Sequence, residues 1–162
     1  MSTIDAATST APRLEGPPPH LLIVRAPYYA HVVDGLRDGA LAILAEAGAT
    51  HDILAVAGAL ELAGAVRLAL RGRRRYDGFV ALGCVVKGDT DHYEYVCREA
   101  MAGLTAVVLQ FGLALGNGLL TVHSMEQALA RAGFGAGAHN KGAEAAAAAL
   151  KQIAAARWLG AQ

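Results

Sequence analysis

With 162 residues, the chain can bury one sizeable core and is too short for two domains of ordinary size. Its 14 basic residues balance 14 acidic ones, which argues against nucleic acid or an anionic membrane surface as a partner. Hydrophobic residues make up 54% of the chain but aromatics only 6%, so the expected core is built from Ala, Leu and Val.

Residues 1 to 19 are rich in Ser, Thr, Ala and Pro and end in Pro17-Pro18-Pro19. They bury too little to fold and read as a flexible arm, whose triple proline favours an extended backbone able to lie along a neighbouring subunit. No charged start leads into an apolar core here, so no secretory signal is expected. A single domain is expected over 20–162. His20 to Val24 is its first strand. After Arg25-Ala26-Pro27-Tyr28-Tyr29, Val32, Val33, Leu36, Ala40, Ile43, Leu44 and Ala47 recur at helical spacing, and Gly48 ends the run. Tyr28 and Tyr29 stand where doubly wound sheets bind ligands, although packing over the top of the sheet is the simpler account of the pair. Ile53 to Val56 is a short second strand. Ala57-Gly58-Ala59 leads into a helix carrying Leu60, Leu62, Ala65, Val66, Ala69 and Leu70. Glu61 lies in its first turn, where the helix dipole alone explains an acid; its functional reading is a carboxylate in the same crevice as Tyr28. The basic run Arg71, Arg73, Arg74, Arg75 reads as the cap of that helix's C-terminus.

Phe79 to Val86 is uncharged and rich in β-formers, the pattern of a strand buried on both faces. It turns at Lys87-Gly88-Asp89 and continues from Thr90 or Asp91 as a helix, with Asp91 and Glu94 spaced as in a capping box. Such a junction aims free backbone N–H groups at the mouth of a crevice, a ready site for phosphate, and His92 in the first turn can move protons near neutral pH. An ordinary strand-to-helix junction with an exposed histidine has the same pattern.

Met101 to Val122 carries no charge, but Gln110, Asn117 and four glycines interrupt it, so it reads as helix end, loop and buried strand rather than a membrane span. Leu119 to Val122 is the fourth strand. Ser124-Met125-Glu126-Gln127 matches a capping box opening a short helix with Leu129 and Arg131. Gly133 to Gly137 breaks it, and Asn140 caps a last helix from Lys141 to about Leu159, driven by alanine propensity. Four strands alternating with helices give a three-layer α/β/α sandwich on a four-stranded parallel sheet, flavodoxin-like in architecture. Cys84 and Cys97 show no paired spacing and fit a reduced, cytoplasmic chain. No P-loop, dinucleotide fingerprint, nucleophile elbow or zinc spacing is present, which leaves chemistry by histidine, backbone amides and a few charges.

The run L-G-C-V-V-K-G-D-T-D-H-Y-E-Y-V (Leu82–Val96) resembles the signature of the 6,7-dimethyl-8-ribityllumazine synthase family of riboflavin biosynthesis. V-A-G-A-L-E-L (Val56–Leu62), G-L-L-T-V (Gly118–Val122), E-Q-A-L-A-R-A-G (Glu126–Gly133) and N-K-G-A-E-A-A (Asn140–Ala146) follow the family in order and spacing, so the resemblance spans roughly residues 20 to 158. It implies condensation of 5-amino-6-(D-ribitylamino)uracil with 3,4-dihydroxy-2-butanone 4-phosphate, releasing phosphate and water, with no cofactor and no metal. It also implies a homopentamer with sites between subunits. By the same resemblance, Gly88, Asp89 and Thr90 hold the phosphate, with Arg131 arriving from the next subunit. His92 is the catalytic proton carrier. Tyr28, Ala59, Leu60, Glu61, Cys84, Val85, Val86, Asn117 and Lys141 surround the pyrimidine and its ribityl chain.

The chain departs from the family pattern at Ala57 for proline, Tyr29 for asparagine, Leu60 for an aromatic and Asn117 for phenylalanine. Asp89 places a carboxylate in the phosphate loop, which weakens anion binding unless it turns outward. These departures keep a second reading open, a non-catalytic or specialised flavin- or lumazine-binding paralogue. A flavodoxin-like signalling or electron-transfer domain explains the alternation but not five ordered motifs. The segment between Arg131 and Lys141 is longer than in many members, a feature that opposes shell packing and points to free pentamers or decamers.

Overall fold

A computed structural model describes residues 9–135 and 137–161. Among these, the elements in chain order are β1 (His20–Arg25), α1 (Ala30–Glu46), β2 (Thr50–Ala55), α2 (Glu61–Arg71), β3 (Gly78–Val86), α3 (His92–Phe111), β4 (Leu115–Val122), α4 (Met125–Arg131) and α5 (Lys141–Leu159). The strands form one parallel sheet in the order β2-β1-β3-β4. Alternate strand residues face opposite ways, and in β1, β3 and β4 residues of both sets are buried, whereas β2 is largely exposed. Leu21, Ile23, Val80, Leu82, Leu120 and Val122 join the cluster that includes residues of α1, α4 and α5. Leu22, Val24, Phe79, Ala81, Leu115 and Leu119 join residues of α2 and α3. The expected α/β/α sandwich is therefore the observed fold. No helix among the described residues is long and apolar enough to cross a membrane.

The alanines of α5 owe their place to distance as well as propensity. A Cβ on Gly142 would stand 1.8 Å from the Leu36 carbonyl oxygen, and one on Gly116 would stand 1.8 Å from that of Ala145. Backbone thus lies against backbone where α5 crosses α1 and β4, and only small side chains leave room. Asn140 fastens this corner. Its Oδ1 accepts the N–H groups of Gly142 and Ala143, and its Nδ2 donates to the carbonyls of Gly35 (2.8 Å) and Ala132 (3.1 Å).

Several boundaries differ from the sequence expectation. β4 starts at Leu115 rather than Leu119, because Gly116 and Gly118 are strand residues that α5 presses upon, not loop breakers. β2 runs Thr50–Ala55 rather than 53–56; its polar Asp52 accepts hydrogen bonds from Arg74 (2.8 Å) and Tyr76 (2.9 Å), which a hydrophobic pattern does not reveal. Arg74 is therefore an ion-pair partner of β2, while Arg71 does stand in the last turn of α2. The Asp91–Glu94 capping box does not form. Asp91 is already helical (φ −65°, ψ −6°), and its side chain caps nothing. Ser124 does cap α4, accepting the Gln127 N–H at 3.2 Å. Of the arm, residues 1–8 lie outside the described residues. From residue 9 onward Ala11 and Leu14 rest against the core, and Arg157 donates to the carbonyls of Glu15 and Pro17.

Candidate functional site

β1 connects to β2 on one side of the sheet, and β3 connects to β4 on the other, so the order reverses between β1 and β3. At such a reversal the loops leaving the two strands part, and a crevice opens at the carboxyl ends. Three hydrogen bonds extend the ladders one residue past the strands: Ala26 N–H to Leu82 O, Val56 N–H to Arg25 O, and Lys87 N–H to Val122 O, each 2.9 Å. They hold the roots of the three loops level.

The loops enclose a cavity of about 430 Å³. Tyr28 and Tyr29 come from the turn after β1. Ala57, Gly58, Ala59, Leu60 and Glu61 form the turn into α2, closed by Glu61 N–H to Gly58 O (3.2 Å). Cys84, Val85 and Val86 end β3, and Gly88, Thr90, His92, Tyr93 and Val96 complete the wall. The first turn of α3 leaves N–H groups without intrahelical acceptors beside Thr90 and His92. Asp89 is exposed and lines neither this cavity nor the next.

A second cavity of about 210 Å³ lies on β4, one of the two edge strands of the sheet. Asn117, Thr121, Arg131 and Lys141 supply its polar groups. Arg131 donates to the Gln127 carbonyl (3.0 Å), and Lys141 pairs with Glu144 (2.5 Å). Asn117 accepts the Leu119 N–H at 3.0 Å and points its amide at the Met101 sulfur, 3.1 Å away. The expected site residues are thus divided within one chain. Tyr28, Glu61, Gly88, Thr90 and His92 share the first cavity, Asn117, Arg131 and Lys141 share the second, and Asp89 lines neither.

The charges divide in the same way. Glu61 and His92 are the ionisable carboxylate and imidazole of the first cavity, and no Lys or Arg lines it. Both cations belong to the second. Among the described residues, no group of three or more His, Cys, Asp or Glu side chains converges as a metal site.

Tyr29 and Tyr93 are lining residues that the motif reading did not assign to the site. Adjacency to Tyr28 and His92 was the available signal. Burial raises the pKa of both phenols, and it pushes the Cys84 thiol up to about 11. A group that holds its proton more tightly when folded adds stability below its unfolded value and loses that contribution as pH rises through the folded one. Thermal unfolding is therefore expected at falling temperature between about pH 9 and about 11, and Cys84→Ala is expected to flatten that decline. An unchanged slope in the variant would remove Cys84 as its cause.

A family model described as 6,7-dimethyl-8-ribityllumazine synthase matches residues 18–157. Among curated relatives, 6,7-dimethyl-8-ribityllumazine synthase of Paramagnetospirillum magneticum is 44% identical over 146 residues, covering 86% of this chain and 96% of that protein. 6,7-Dimethyl-8-ribityllumazine synthase 1 of Rhizobium meliloti is 46% identical over 149 residues, covering 90% and 96%. The protein of the same description from Sphingopyxis alaskensis is 47% identical over 135 residues, covering 83% and 93%.

Proposed function

The chain belongs to the 6,7-dimethyl-8-ribityllumazine synthase family, and from that premise we propose that its two cavities are the two halves of one active site closed between neighbouring copies. The reaction is the condensation of 5-amino-6-(D-ribitylamino)uracil with 3,4-dihydroxy-2-butanone 4-phosphate in riboflavin biosynthesis. The observation that supports the divided site is the separation of charge: the phosphate loop and His92 face a cavity without a lysine or arginine, while Arg131 and Lys141 stand on a sheet edge. A phosphate leaving group gathers negative charge as it departs, so a fixed cation beside it stabilises the transition state.

In this reading, the pyrimidine lies on the face of Tyr28, and the backbone at Val85 and Val86 reads its edge. Ala59 and Leu60 border it, Cys84 lies beneath, and Glu61 accepts hydrogen bonds from ribityl hydroxyls. The phosphate of the second substrate rests on Gly88, Asp89 and Thr90, with the Asp89 carboxylate turned to solvent. A neighbour's Asn117, Arg131 and Lys141 close the site. The amine attacks the ketone, water leaves as the imine forms, phosphate is eliminated, and the ring closes with loss of a second water. His92 takes and returns protons along this sequence, as an imidazole with two ring nitrogens can. Five copies in a ring, as free pentamers or decamers, provide the interfaces, and the two free thiols fit a reducing cytoplasm.

Most of the acceleration comes from holding two reactive partners in register, since oriented proximity alone can contribute about 7–11 kcal/mol. Lumazine formation followed by absorbance with both substrates tests the reaction, and no product from the wild type would end this reading. His92→Ala is expected to lower kcat by roughly 10- to 100-fold, at or below the lower end of ordinary acid–base catalysis, without abolishing turnover. Complete loss of turnover in a variant that still binds lumazine would refute the proximity-led account.

A further inference from the structure

Within a single chain, Tyr28 is 77% exposed. A ring so exposed has little around it to fix its rotamer, and ordering it on binding weakens affinity. The adjacent Tyr29 is its opposite. Tyr29 is the N-cap residue of α1, with its carbonyl accepting the Val33 N–H at 3.0 Å, so its backbone is tied to a helix. Its ring is half-buried against the core cluster that includes residues of α1 and α5. The two ring centroids stand 5.0 Å apart at 75°, an edge-to-face pair that an aromatic quadrupole favours. Both rings line the first cavity, together with Cys84 of β3. Tyr29 therefore reaches from the fixed interior to the exposed ring.

We propose that Tyr29 is a positioning residue for the pyrimidine substrate: it holds the Tyr28 ring upright, so the planar heterocycle meets a platform already set. The inference rests on the placement of that substrate on Tyr28 given above. Tyr29 acts through Tyr28, so its removal weakens recognition of the flat substrate and leaves recognition of the phosphorylated one alone. The contact is between the two rings and uses no hydroxyl, so phenylalanine suffices in its place.

Steady-state kinetics of Y29L, Y29F, Y28A and the Y28A/Y29L double variant tests this. Y29L is expected to raise the KM for the pyrimidine about 3- to 10-fold, the range set by an aromatic pair, with kcat and the KM for the butanone phosphate within about twofold of wild type. Y29F is expected to stay within about twofold of the wild-type pyrimidine KM. The double variant should be no worse than Y28A, since Tyr29 has nothing left to hold. A wild-type pyrimidine KM in Y29L would overturn the proposal. So would additive losses in the double variant, or an equal rise in both KM values with a lowered Tm, which marks a merely structural role. Equilibrium binding of the pyrimidine alone reads the same ratio. A wild type that binds it and makes no lumazine would thus sink the condensation and still test Tyr29.

Discussion

Replacing Arg131 with alanine is expected to lower kcat/KM for 3,4-dihydroxy-2-butanone 4-phosphate by about 10- to 100-fold while leaving the pyrimidine KM within a few-fold of wild type. Losing one charged hydrogen bond costs about 1.5–3 kcal/mol, and each 1.36 kcal/mol is a factor of ten. Arg131 sits in the last turn of α4, and its guanidinium donates only to the Gln127 carbonyl among the described residues, which leaves its remaining donors for a ligand. The first cavity has no cation of its own to take over. The decisive version of the experiment mixes two damaged chains. His92→Ala and Arg131→Ala subunits, co-assembled at equal ratio, are expected to regain activity, since roughly a quarter of head-to-tail interfaces then combine an intact His92 with an intact Arg131. No gain over the separate variants would mean that one chain supplies both groups.

The second large effect is on folding. Glycine-to-alanine inside a helix ordinarily stabilises by about 0.8–1 kcal/mol. At Gly142 the sign reverses, because the added methyl would lie 1.8 Å from the Leu36 carbonyl oxygen and 2.8 Å from its Cα. Neither contact is relieved by rotating a side chain, so α5 must lift from α1 and strain the hydrogen bonds Asn140 makes across that corner. Overpacking of this kind costs about 3 kcal/mol or more, an expected fall in Tm of about 6–12 °C for a chain of this size. Thermal unfolding of Gly142→Ala checks it, and an unchanged or raised Tm would show that the two helices do not meet so closely.

The sequence made the layer order and the strand–helix alternation legible because both faces of the sheet are buried and alternate cleanly along β1 and β3. Gly116 and Gly118 misled, since a glycine read alone signals a break, and its tertiary use appears only when α5 is laid across it. Asp91 and Glu94 had the spacing of a capping box, but the turn after β3 enters the helix one residue too early for the aspartate to act as its cap. At the site, Tyr28, Glu61, Gly88, Thr90 and His92, all named by the motifs, line one cavity. Tyr29 stayed outside the assignment because packing explains an adjacent tyrosine pair and the family resemblance names only Tyr28 there; the cavity lining brings both rings to the site.

The small bond from the Leu119 N–H to the Asn117 side chain bears on what this sheet edge can offer to another strand. A free sheet edge is a template on which further strands can add without limit, the first step toward fibrils. On β4 one of the outward donors is already satisfied by the strand's own asparagine, and Gly116 and Gly118 offer no side chains to an incoming strand. An interrupted edge of this kind resists open-ended stacking while leaving its side chains free for a closed, specific contact.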